Sequence, residues 1–183
     1  MATEKKSRKK YPRDSSSPSA EEPAVAYAAV FKQPGFLFPA GMARPLELLG
    51  IAPSFKALKT FSENDFIAVI RDGIYKKSMD RLAAFAGLSS SEMASFVHTS
   101  DRTLRRYEDR HKLNPDQSER LIELARLYSR GEEVFGSMEL FREWMDTSTP
   151  ALGNQTPKSF LDTSIGIDMI GKQLLRIEHG VYS

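Results

Sequence analysis

The residues with the clearest chemical potential form a short basic stretch in the middle of the chain. Arg102, Thr103, Arg105 and Arg106 follow Ser100, a residue type that commonly caps the start of a helix. Arginine and threonine side chains on the first turns of a helix can reach base edges and phosphates in the major groove of DNA. The stretch therefore predicts a recognition helix, and Lys112 further along could add a phosphate contact.

A helix-turn-helix is the element that would position these side chains. The segment from Ser90 to Asp109 has a small residue and apolar residues where two crossed helices must pack. These packing positions are Met93, Ala94, Val97, Leu104 and Tyr107. Two positions depart from the usual pattern, because His98 stands where glycine is common in the turn and Thr99 replaces a β-branched hydrophobic residue.

An alternative interpretation of the same stretch is a plain helical hairpin with a solvated arginine face. The positive charge of this stretch is reduced by Asp101, Glu108 and Asp109. A single helix-turn-helix match is also not specific to DNA binding. The formal net charge of the whole chain is only +2, so overall charge does not decide between the two interpretations.

Composition argues against several other classes of function. The chain has no cysteine, which excludes disulfides, thiolate zinc sites and cysteine nucleophiles and is compatible with a reducing cytoplasm. The histidines, His98, His111 and His179, are scattered, and the sequence has no nucleophile elbow, phosphate loop or metal-ligand spacing. We therefore expect no catalytic residue, cofactor or metal, and the lack of a membrane-length apolar run favours a cytoplasmic protein.

Composition also divides the chain into four segments. Residues 1–23 are rich in lysine, serine and proline and predict a disordered basic arm, and residues 24–53 form an irregular apolar connection in which only Leu46 to Leu49 look helical. Residues 54–130 predict the helix-turn-helix domain, and residues 131–183 a small C-terminal domain.

From Ser54 onward the apolar spacing is helical, which predicts an all-α fold. Ser62 and Ser78 are expected to cap the first two helices, the second of which ends at Gly87. A longer helix begins at Pro115 and is expected to be interrupted at Gly131. The remaining expected elements are a helix from Ser137 to Asp146, a turn from Pro157 to Leu161, and a final helix from Ser164 to His179 stopped by Gly180.

The C-terminal part contains both expected core residues and an unusual chain end. Because a small domain has few other large side chains to bury, we expect its large apolar residues to form the core. These residues are Phe141, Trp144, Leu161, Ile170 and Leu174. The ending Arg176-Ile177-Glu178-His179-Gly180-Val181-Tyr182 instead combines aromatic and charged groups that a chain end rarely needs for packing. This ending therefore predicts an interface for binding a partner.

The C-terminal pattern resembles the toxin-binding domain of Xre/MbcA/ParS antitoxins. The resemblance rests on Val134-Phe135-Gly136, Trp144-Met145, Pro150-Ala151-Leu152-Gly153, Thr156-Pro157, Leu161-Asp162-Thr163, Gly166 and the Arg176 to Tyr182 ending. It extends back through the helix-turn-helix to about Leu48.

The resemblance implies an Xre-like helix-turn-helix domain that dimerises, followed by a small helical toxin-binding domain. The implied partners are operator DNA, a second copy of the chain, and a RES-domain or ParT-like toxin that consumes NAD or transfers ADP-ribose. The toxin-contacting residues would be Leu152, Arg176, Glu178, His179, Gly180, Val181 and Tyr182. Two alternatives remain open at this point: a free-standing repressor without a toxin partner, and an antitoxin that no longer binds DNA.

Overall fold

The computed structural model describes residues 43–51 and 63–180, and within them the chain is helical. The elements are α1 (Ala43–Leu48), α2 (Glu63–Asp72), α3 (Lys76–Ala86), α4 (Ser90–Phe96), α5 (Asp101–Arg106), α6 (Pro115–Phe135), α7 (Met138–Asp146), two 3₁₀ turns (Pro150–Leu152 and Pro157–Phe160) and α8 (Ser164–Glu178). Extended pairing in these two ranges is limited to isolated bridges between Tyr75 and Lys112 and between Thr149 and Gln155. The all-α prediction is confirmed.

The 21-residue helix α6 lies at the centre of the fold. It begins as predicted at Pro115, where Asn114 Oδ1 accepts a hydrogen bond from Gln117 N at 2.8 Å and the Gln117 side chain accepts one from Asn114 N at 3.2 Å. Its apolar stripe is fully buried, including Leu121, Leu124 and Tyr128, and it packs against α1, α2, α7 and α8. The two predicted domains therefore share this helix.

The predicted interruption of this helix at Gly131 is wrong. The helix continues to Phe135 and ends at Gly136, which has the left-handed φ of 76° that suits a glycine cap. Gly131 is needed for close packing instead, because a Cβ there would lie 2.3 Å from Cζ of the Phe141 ring. The glycine lets α7 approach α6 closely.

Substituting Gly131 with alanine should therefore destabilise the fold. Alanine gains up to about 1 kcal/mol in helix propensity, but overpacking a buried core costs about 1–3 kcal/mol, and Phe141 is fully buried. We expect a net loss in the free energy of unfolding, measured by urea denaturation. The double variant Gly131→Ala with Phe141→Leu should lose less than the sum of the two single changes, and strict additivity would contradict this explanation.

The predicted helix cap at Ser78 is also wrong. Helix α3 begins two residues earlier, at Lys76, and Ser78 is buried inside it. The amides of Lys76 and Lys77 donate to the carbonyls of His111 and Asp109, at 2.9 and 3.2 Å. The free backbone amides of the first helical turn are thus hydrogen-bonded by a distant loop, so the helix needs no side-chain cap of its own.

The N-terminal predictions can be followed only in part. The helical turn expected from Leu46 to Leu49 is confirmed by α1, which ends at Leu48, and Leu46, Leu48 and the following Leu49 are buried. Residues 1–42 and the predicted cap Ser62 lie outside the described residues.

The C-terminal helices follow the sequence analysis closely. Ser137 caps α7, Thr163 caps α8 through a 3.0 Å hydrogen bond from Gly166 N, and Gly180 follows with a φ of 68°. The expected core residues Phe141, Leu161, Ile170 and Leu174 are fully buried. Trp144 is half-buried and packs against the rings of Phe135 and Phe141, with centroids 5.4 and 5.9 Å away.

Candidate functional site

Helices α4 and α5 form the predicted helix-turn-helix. A capping box starts α4, in which Glu92 accepts from Ser89 N at 2.7 Å and Ser89 Oγ accepts from Glu92 N at 3.2 Å. His98 has a φ of 53°, so it adopts in the turn the left-handed conformation that glycine usually supplies. The departure seen in the sequence at His98 therefore leaves the turn geometry intact.

The short helix α5 presents the predicted recognition residues. Ser100 caps it by accepting a 3.1 Å hydrogen bond from Thr103 N, and the buried Leu104 anchors it to the core. Arg102 and Arg106 are exposed, and neither forms an ion pair with a carboxylate among the residues described.

The other two basic candidates already have carboxylate partners. Arg105 Nε lies 2.8 Å from Asp101 Oδ2, and Lys112 Nζ lies 2.6 Å from Asp72 Oδ1. A hydrogen bond from Ser90 lowers the pKa of Asp101, and Arg105 lowers it further. The Asp72 carboxylate raises the pKa of Lys112. A phosphate would have to compete with these carboxylates, which makes Arg102 and Arg106 the most available cations of the predicted set.

Lys112 is held beside the helix-turn-helix by the loop that follows α5. Tyr107 and His111 stack in that loop with ring centroids 3.6 Å apart, and Lys112 Nζ lies 5.6 Å from the exposed Tyr75 ring. The backbone bonds from the start of α3 fix this loop. Lys112 therefore has a defined position beside Asp72 and Tyr75, although it belongs to no helix.

The Glu92 carboxylate gives the helix-turn-helix a testable pH dependence. Burial would raise its pKa, but hydrogen bonds from Ser89 and the nearby Lys158 lower it below the ordinary value of 4.5. A lowered pKa means that the charged carboxylate stabilises the fold above about pH 4.5, and that this stability is lost as the pH falls through the folded-state pKa.

We expect Glu92→Gln to lower the free energy of unfolding near neutral pH by about 0.3–1 kcal/mol, because glutamine keeps the acceptor for Ser89 N but loses the negative charge that stabilises the helix start and pairs with Lys158. The wild-type advantage should shrink below pH 4.5, because protonation removes the same charge. Urea denaturation at pH 7 and pH 3.5 measures this. An advantage of equal size at both values would contradict the role assigned to Glu92.

The end of α8 is the second predicted surface. Arg176, Glu178, His179 and Gly180 are all exposed there, and the Glu178 carboxylate pairs with Arg130 on α6. Arg176 has no ion pair or side-chain hydrogen bond with any residue in the described part of the chain. The predicted contacts Val181 and Tyr182 lie outside that part.

Leu152 does not share this surface. It lies in the first 3₁₀ turn and only 8% of it is exposed, so its side chain is part of the core. The structure thus groups Arg176 to Gly180 and leaves Leu152 apart from them. Direct contact of Leu152 with a partner stays a prediction.

A cluster of polar contacts between the helix-turn-helix and the segment before α8 was not predicted from the sequence. Arg120 on α6 is the main member, with only 7% of its side chain exposed, and Lys158 in the second 3₁₀ turn is another. One signal was available in the sequence: Arg120 is in helical register with the buried Leu124 and Leu127. A charged side chain in an apolar stripe is rarely buried without partners.

Two further observations limit the kinds of site present. No group of three His, Asp or Glu side chains that could hold a metal ion occurs within residues 43–51 and 63–180. None of the helices in those ranges is long and apolar enough to cross a membrane.

Comparisons with known proteins match both surfaces to characterised domains. Residues 65–126 match the antitoxin Xre-like helix-turn-helix domain, and residues 130–180 match the antitoxin Xre/MbcA/ParS C-terminal toxin-binding domain. Helices α4 and α5 lie in the first match, and the exposed end of α8 closes the second.

Individual relatives are also named as antitoxins. The chain is 26% identical to the "Prs ADP-ribosylating antitoxin" of Sphingobium sp. strain YBL2, over 77% of this chain and 96% of that protein. It is 28% identical to "Antitoxin Xre" of Yersinia enterocolitica, over 62% of this chain and 78% of the relative. A third relative, "Antitoxin Xre" of Photorhabdus laumondii, is 25% identical over 63% of this chain and 80% of its own length.

Proposed function

Because this chain belongs to the Xre/MbcA/ParS antitoxin family, we propose that it neutralises a toxin by covering the toxin's active site with the end of α8. The observation that carries this proposal is the exposed guanidinium of Arg176 on the final helix of the matched toxin-binding domain. An arginine without a carboxylate partner can pair with carboxylates or phosphates in a neighbouring cleft. Glu178, His179, Gly180, Val181 and Tyr182 complete the proposed contact, and direct contact of the mostly buried Leu152 with the toxin stays a prediction.

The proposed partner is an enzyme that consumes NAD or transfers ADP-ribose, of the RES-domain or ParT-like kind. The similarity to an antitoxin named for ADP-ribosylation in Sphingobium supports this class. A phosphate-rich substrate also implies a cleft that binds anions, and we propose that the Glu178 carboxylate, which pairs with Arg130 in the free chain, occupies such a cleft in place of the substrate.

The same chain is proposed to repress its own operon through α5. Arg102 and Arg106 are exposed at the surface that faces away from Leu104 and the core, and phosphates or guanine edges are their natural ligands. A symmetric dimer would read two half-sites about one helical turn apart or more. Repression without a toxin partner is the alternative, and the match to the toxin-binding domain favours the two-surface function.

We propose no catalytic activity and no cofactor for this chain, and a cytoplasmic location where it can meet both DNA and toxin. The two family matches are to a helix-turn-helix domain and to a toxin-binding domain. The toxin-antitoxin proposal is tested by expressing the toxin-like reading frame adjacent to this gene, with and without this chain. Restored growth and a co-purified complex are expected, and continued growth arrest without a complex would refute it.

A further inference from the structure

We propose that the toxin also binds a second surface of this chain, an exposed apolar strip on α7 bordered by carboxylates. We call this surface the α7 face. It consists of Leu140 and Trp144 on α7 and Phe135 at the end of α6, and its acidic border consists of Glu139 and Glu143. The inference rests on the proposed function for the identity of the partner, and the tests below distinguish the failure of one from the failure of the other.

Leu140 is the most exposed member of the α7 face. Solvent reaches 53% of its surface, whereas the other apolar residues of α7 are buried or half-buried. Trp144 lies four residues later on the same side of the helix, and the ring of Phe135 lies 5.4 Å from its indole ring. The exposed leucine therefore extends a cluster of half-buried aromatic side chains, which is an arrangement typical of a contact surface.

Trp144 has the properties of an anchor for a binding partner. Its ring is positioned by two neighbouring rings, those of Phe135 and Phe141. Its indole N–H forms no hydrogen bond with any residue in the described ranges 43–51 and 63–180. Tryptophan combines a large apolar ring with one hydrogen-bond donor, and such residues contribute much of the affinity at protein interfaces. A partner that covers the ring and accepts from the N–H would use both properties.

The border of the α7 face is acidic. Glu139 and Glu143 are exposed, and neither forms an ion pair with another residue in the described part of the chain. The remaining charges of α7 are engaged elsewhere, because Arg142 donates to the last carbonyls of α3 and Asp146 pairs with Lys158. A carboxylate suits the first turn of a helix, where Glu139 lies, but like charges four residues apart destabilise a helix. The stability of α7 therefore does not explain Glu143.

This charge pattern favours the toxin over two other partners. DNA is disfavoured because its phosphates would face carboxylates. A second copy of the chain is disfavoured because a symmetric contact would place Glu139 and Glu143 against the same residues of the other copy. The proposed toxin binds a phosphate-rich substrate, so its cleft needs basic residues, and basic residues beside the cleft complement the acidic border.

The α7 face is close enough to the end of α8 for one partner to cover both. Glu178 at that end pairs with Arg130 on α6, and Phe135 follows Arg130 by five residues on the same helix, about 7.5 Å along the helix axis. An ordinary protein interface covers about 800 Å² on each partner, which is ample for this separation. All these residues lie within the match to the toxin-binding domain, residues 130–180. We assign occlusion of the active site to the chain end and additional affinity to the α7 face.

The first test measures binding to the proposed toxin partner, sought in the reading frame adjacent to this gene. Leu140→Ala should weaken the complex by about tenfold or more, because the loss of one anchor has an effect of this size. Glu143→Lys should also weaken it, and this loss should shrink at high salt because the ions screen the charges. Both side chains are exposed, so urea denaturation should show stability close to that of wild type.

The matched controls are Ile67→Ala and Glu119→Lys. Ile67 is 43% exposed on α2, Glu119 is exposed on α6, and both lie outside the matched toxin-binding domain. Each control should bind the partner as wild type does. If the two α7 variants bind as tightly as wild type, or if the controls weaken the complex equally, the α7 face is not a contact. A wild-type chain that forms no complex would instead refute the proposed function, and this inference with it.

The second test uses Trp144 as a probe, since it is the single tryptophan of the chain. Labelling with 5-fluorotryptophan gives one fluorine resonance. In the complex with unlabelled partner the resonance should move, and its shift between H₂O and D₂O should fall, because the partner covers the ring. Operator DNA alone should change neither. A resonance that keeps its position and its solvent shift in the complex would overturn the inference. A solvent shift that falls as the concentration of the chain alone rises would overturn it as well, because a second copy would then cover the α7 face.

Discussion

Replacing Arg102 and Arg106 together with alanine is expected to weaken operator binding by about thirtyfold or more while toxin neutralisation persists. Each base contact contributes about 1–3 kcal/mol, and 1.4 kcal/mol corresponds to a factor of ten. Both side chains are exposed on α5 and make no ion pair with another described residue, so their loss should leave the core unchanged. The measurement is a DNA-binding titration over a salt series.

A charge-matched control separates specific contact from general electrostatics. Arg81→Ala with Lys172→Ala also removes two positive charges, from α3 and α8, which are not part of the recognition helix. Its effect on operator affinity should be small. If it weakens binding as much as Arg102→Ala with Arg106→Ala does, or if the latter binds as wild type does at every salt concentration, α5 is not the recognition helix.

Deleting residues 179–183 is expected to abolish toxin neutralisation or weaken it at least about tenfold, because a few anchors at an interface carry most of its affinity. The deletion removes His179, Val181 and Tyr182 but keeps Glu178 and its pairing with Arg130. Ile170 and Leu174, which anchor α8 in the core, are also kept. The truncated chain should therefore fold and bind operator DNA.

Circular dichroism and operator binding check that the truncated chain is folded, and toxin activity reports neutralisation. Full-length Glu133→Gln is the matched control, because Glu133 also pairs with Arg130 but is not part of the proposed contact, and it should neutralise the toxin as wild type does. Full neutralisation by the folded, truncated chain would place the inhibitory surface elsewhere, with the region around Trp144 and the loop from Pro150 to Pro157 as the next candidate.

Residues next to the helix ends predicted those helices whose first amides are capped by a neighbouring side chain. Ser100 caps α5 as predicted, and the helices predicted to begin at Pro115 and near Ser137 are capped by Asn114 and Ser137. The predicted recognition helix follows from the first of these caps. Four of the expected core residues of the C-terminal domain, Phe141, Leu161, Ile170 and Leu174, are fully buried, because few other side chains could fill its core, while Trp144 is half-buried against it.

The features that were missed depend on contacts between distant parts of the chain. The first amides of α3 donate hydrogen bonds to carbonyls more than thirty positions later, at Asp109 and His111. Ser78 was therefore wrongly predicted as the cap of this helix. The missing side chain of Gly131 leaves room for the ring of Phe141, which lies on another helix. Arg120 finds its acceptors in two other segments, and spacing alone could mark it as unusual but could not identify its partners.

The most direct test of the central claim, that one chain carries two separable binding surfaces, is a titration of toxin activity by three forms of the chain. The enzyme is the proposed toxin partner, sought in the reading frame adjacent to this gene, and the readout is the proposed NAD consumption or ADP-ribose transfer. Wild type and Arg102→Ala with Arg106→Ala should inhibit equally, at concentrations close to that of the toxin, and the chain without residues 179–183 should not. Activity that persists with excess wild-type chain, or inhibition lost with the arginines and kept without the chain end, would contradict it.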